Sequence, residues 1–63
     1  METKNAKQHV QDVQMGLQNA EECLNKALGS VEKPENKQKI ENTLKSVDVA
    51  LKQTTETLSS YIE

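Results

Sequence analysis

The stretch LNKALGSVEKPENKQKI, residues 24–40, decides the fold. It reads as a hinge between two helical segments. Gly29 follows Leu28 at a place where helices commonly end on a left-handed residue. Pro34 suits the first turn of a following helix, where its missing N–H costs nothing. Lys33, just before the proline, is biased toward extended backbone. Ser30 and Glu32 are candidates to cap the second helix, and Val31 to plug the end of the core. The expected connection, residues 29–33, has a normal length for antiparallel neighbours.

Outward from this hinge the apolar residues mirror one another about Glu32. Leu24 falls opposite Ile40, Ala20 opposite Leu44, Leu17 opposite Val47, Val13 opposite Leu51 and Ala6 opposite Leu58. In the first segment the seam runs Ala6, Val10, Val13, Leu17, Ala20, Leu24 and Ala27. In the second it runs Ile40, Leu44, Val47, Leu51, Thr54, Leu58 and Tyr61. Steps of four and three alternate, which is the heptad of a coiled coil and not the period of two of a strand. The expected architecture is all-α: an antiparallel two-helix hairpin forming one domain over residues 1–63. Helix 1 is expected over about residues 3–28 and helix 2 over about 34–62.

A chain of 63 residues has too little interior to be comfortably stable without a staple. One cysteine allows no intrachain disulfide, and no metal-ligand spacing occurs. Oligomerisation is the remaining common remedy, so the hairpin is expected to dimerise into a four-helix bundle.

The heptad flanks say where. With Val10, Leu17 and Leu24 at a, the g positions of helix 1 are His9, Gly16 and Cys23. Those of helix 2, with Leu44, Leu51 and Leu58 at a, are Thr43, Ala50 and Thr57. None of the six carries a fixed charge. The e positions include Lys7, Glu21, Glu41 and Asp48, with Leu28 and Ile62 near the ends. Charges beside a seam mark a solvated rim; a small, uncharged flank lets another helix approach. His9, Gly16, Cys23, Thr43, Ala50 and Thr57 are therefore the expected interface. Gly16 adds weight, since a glycine inside a helix costs about 1 kcal/mol relative to alanine. Met15 and Val49 fall at f, the outermost position, where single apolar residues need no special role.

Composition narrows the function. The net charge is −2 and every basic residue is lysine. That gives no electrostatic attraction to nucleic acid or anionic membrane, and lacks the arginine that reads phosphate and guanine bidentately. A dimeric hairpin of similar size, the plasmid copy-number regulator that binds paired RNA loops, is similar in architecture. An RNA-binding hairpin is thus one alternative, with Lys45 and Lys52 at b as its short basic stripe. An adaptor that docks a helix of another protein is a second. The chain is expected to be no enzyme, with no cofactor and no metal. His9 and Cys23, the natural base and nucleophile, lie two heptads apart, roughly 21 Å along one helix, far beyond the ~3 Å reach of a dyad. No run approaches the roughly 18 apolar residues of a membrane span. The polar start, Met1 to Lys7, is unlike a signal peptide, so the expected location is cytoplasmic.

The run Ala6-Lys7-Gln8 through Gly16-Leu17 and Ala20-Glu21, followed by a turn and a Gln/Lys/Thr-rich heptad helix, resembles small two-helix proteins of unknown function from spore-forming firmicutes. The likeness spans most of the chain. It implies a small bacterial hairpin and brings no activity or functional residue with it. The Trp-x-Gly turn of small secreted helical hairpins is missing, because Gly29 has no tryptophan partner.

Overall fold

A computed structural model describes residues 4–62. Two α-helices, α1 (Ala6–Ser30) and α2 (Pro34–Ser59), pack against each other, and no strand occurs among the described residues. Thr3, where helix 1 was expected to begin, lies outside the described residues.

Helix α1 starts on a reciprocal cap. The Asn5 side chain accepts from the Gln8 backbone N–H at 2.9 Å, and the Gln8 side chain accepts from the Asn5 N–H at 2.8 Å. Two of the N–H groups that a helix start leaves without an intrahelical partner are thereby satisfied. The far end differs from the expectation. Gly29 is not a left-handed stop: no described glycine has positive φ, and α1 runs on through Ser30. The helix ends because Val31 turns extended, at φ −69° and ψ 138°, while its N–H still reaches the Ala27 carbonyl at 2.9 Å. Ser30 does not cap α2 either; its hydroxyl donates back to the Lys26 carbonyl at 3.3 Å.

The connection is thus shorter than residues 29–33. Lys33 occupies the N-cap of α2 with no side-chain cap bond, so Glu32 does not serve there, and Pro34 opens the helix. Glu35 in the first turn faces the positive end of the helix dipole. At the other end Ser60 closes α2 onto the Glu56 carbonyl at 3.1 Å, leaving Tyr61 and Ile62 outside the helix.

The hairpin is one helix layer, 46 × 26 × 12 Å between its outermost Cα positions. A single layer cannot surround a core, and no described residue is fully buried. The seam is half-buried along Val10, Leu17, Ala20 and Leu24 of α1 and Ile40, Leu44, Val47, Leu51, Thr54 and Leu58 of α2, and Val31 half-covers its closed end. Thr54 can sit in this seam because its hydroxyl donates to the Ala50 carbonyl at 2.8 Å.

Helix α1 is rolled relative to the heptad expectation. Its half-buried residues include the e positions Lys7, Gln14, Glu21 and Leu28 beside the a positions Val10, Leu17 and Leu24, and at d only the residues nearer the turn, Ala20 and Ala27. Val13, expected to pair with Leu51, is 52% exposed, and Ala6, expected opposite Leu58, is exposed.

Candidate functional site

The two broad faces of the hairpin are its e flank and its g flank, and they are built differently. On the e flank the helices are tied together. Gln14 donates through Nε2 to the Thr55 hydroxyl at 3.1 Å. One heptad nearer the turn on both helices, the carboxyls of Glu21 and Asp48 are neighbours. The hydrogen bond that protonated Glu21 can donate to Asp48, followed by repulsion from the Asp48 charge and by desolvation, raises the Glu21 carboxyl above the ordinary value of 4.5. Toward the turn, Leu28, Gln38, Glu41, Leu44, Lys45 and Asp48 line a shallow groove of about 310 Å³. Its floor is apolar and its rim carries both signs of charge.

The g flank has no such ties. His9, Gly16, Cys23, Thr43 and Thr57 are exposed and Ala50 is half-buried. No hydrogen bond from these six crosses between the helices among the described residues. A Cβ added at Gly16 would meet nothing within 4 Å, so the hairpin itself gives no steric reason for glycine at this point. The thiol of Cys23 is exposed. The roll of α1 adds Val13 to this side, a residue that the heptad reading assigned to the seam.

The hydroxyls of this flank are already spent. Thr43 donates to the Lys39 carbonyl at 3.0 Å and Thr57 to the Gln53 carbonyl at 3.0 Å. A threonine bonded back to its own helix can be covered by a neighbour without stranding a donor. The face is therefore less polar than its residue names suggest.

The other chemistry-bearing residues do not converge. His9 and Cys23 share the g row of α1 but stay two heptads apart. Among the described residues no group of three or more His, Cys, Asp or Glu is placed to hold a metal ion, and no helix is long and apolar enough to cross a membrane. Lys45 and Lys52 are exposed, and Lys45 shares its groove with the carboxylates of Glu41 and Asp48. Comparison with protein-family models, curated proteins and solved structures finds no match for the chain. The functional reading rests on the geometry.

Proposed function

We propose that the protein is a small non-enzymatic interaction module that self-associates through its g flank into a four-helix bundle. The observation that carries this reading is the lack of an interior. The surface area is 5105 Å². A compact monomer of this 7.1 kDa mass would expose about 4100 Å². The excess, about 1000 Å², is comparable to the roughly 800 Å² that each partner buries in a standard interface. The uncharged flank is where that area can be covered most cheaply, because no charge has to be desolvated there. The e flank, with Glu21, Glu41 and Asp48, is the face to leave in water.

Sedimentation equilibrium at micromolar concentration tests the reading. The expected result is a dimer mass that dissociates on dilution, with helicity falling alongside. A monomer mass that persists at high micromolar concentration with undiminished helicity removes it.

A further inference from the structure

We infer that the partner on the g flank is a second copy docked about one two-fold axis, with α1 antiparallel on the other α1 and α2 antiparallel on the other α2. This rests on the self-association reading and adds its register.

The d and g rows of α1 dictate the pairing. An antiparallel pair centred on Gln18 sets Gly16 against Ala20 of the second copy, Val13 against Cys23, His9 against Ala27 and Ala6 against Ser30. Each contact occurs twice by symmetry, as an isologous interface requires. Small residues meet at every level, and exposed Val13 gains a lining.

Charge complementarity identifies the occupant. Beside the g row lies the c row of α1, Asp12, Asn19 and Lys26. Asp12 and Lys26 stand one heptad on either side of Asn19, and Asn19 is within about 1.5 Å of the Gln18 level along the axis. Antiparallel pairing therefore brings Asp12 of each copy to Lys26 of the other. Within its own chain Asp12 already takes Lys4 on Oδ2, at 2.6 Å, so a second lysine would share the same carboxylate.

The same two-fold sets α2 antiparallel on the other α2, where a d/g pairing matches Val47 with Ala50 and Thr43 with Thr54. The competing arrangement, α1 over α2 of the second copy, sets Lys26 against the c row of α2, Lys39, Ser46 and Gln53. That row offers Lys26 no carboxylate. Such surface charges add little affinity but select between otherwise similar arrangements.

The full chain carrying Val13→Cys provides the test, under mild oxidation. The inference expects an interchain disulfide between the introduced thiol and Cys23 of the other copy, located by peptide mapping. The unaltered protein should stay unlinked: its two Cys23 residues would be about 15 Å apart along the axis, beyond the ~7 Å Cα limit of a disulfide. In parallel, Lys26→Asp should weaken the dimer about tenfold, and the exchange Asp12→Lys with Lys26→Asp should restore it to within about threefold. A protein that sediments as a dimer yet forms no such crosslink, or that links Cys23 to Cys23, overturns this register and leaves self-association standing. A monomer mass at high micromolar concentration overturns both.

Discussion

The e flank and the g flank flank the same seam, yet one is tied across and the other is blank. Gln14 reaches Thr55 and Glu21 reaches Asp48 on the first. On the second, Gly16 faces open space and the hydroxyls of Thr43 and Thr57 turn back onto their own helix. The lesson is that a two-helix protein can spend its polar side chains on fixing register on one face while withholding them from the other. A face without cross-helix bonds, fixed charges or unsatisfied donors costs least to dehydrate.

The largest effect should come from placing a charge on the blank face. Gly16→Glu puts a carboxylate at the centre of the docking surface and should weaken self-association by at least about 100-fold, in line with the cost of an uncompensated buried charge. Thr55→Glu introduces the same charge on the e flank and should change the dimer dissociation constant by less than about threefold. Sedimentation equilibrium on both variants decides the matter. Equal losses would mean that the two faces do not differ in the way their construction implies.

A smaller effect separates helix propensity from docking. Gly16→Ala meets no atom of its own hairpin within 4 Å. In protein dilute enough to be monomeric it should raise stability by about 1 kcal/mol, measured by urea denaturation followed by circular dichroism. Gln14→Ala, on the opposite face, should lower stability by about 0.5–1 kcal/mol through loss of the bond to Thr55. A destabilised Gly16→Ala monomer would show that glycine is needed within the hairpin itself.

Much of the fold could be read from residues 24–40 and the mirror about Glu32, since heptad spacing and Pro34 bear directly on helix packing and helix start. The turn was less legible. Gly29 suggested a left-handed stop, but a helix can equally end when the next residues turn extended, as Val31 does, and glycine then needs no special conformation. The Asn5–Gln8 cap was available in the sequence as an Asn followed three residues later by Gln. The roll of α1 was not available. A heptad says which residues are apolar, whereas the exposure of Val13 depends on how the two helices roll against each other. The six g positions were legible as a group through their missing charge. That Thr43 and Thr57 present no unsatisfied donor, and that Val13 joins them, needed the three-dimensional arrangement.

The smallest effect concerns the tie on the e flank and has a definite sign with pH. Glu21 is raised above 4.5 in the folded hairpin because its protonated form hydrogen-bonds Asp48 and its ionised form is repelled by it. A carboxyl raised on folding binds its proton more tightly in the native state. The stability it contributes is therefore fully present below the unfolded value and is lost as pH rises through the folded value. At pH 7 the two carboxylates oppose each other across the helices. Glu21→Gln keeps a donor toward Asp48 at every pH and removes the repulsion. It should raise the melting temperature slightly at pH 7, and the gain should shrink as pH falls below the folded value, where Glu21 supplies its own proton. Melting curves of the two proteins at pH 7 and at a pH below the folded value measure this difference directly, and the comparison cancels the titration of every other carboxylate. A gain that stays the same at both pH values would mean that the Glu21–Asp48 contact does not hold a proton and that the e flank is fastened by Gln14 and Thr55 alone.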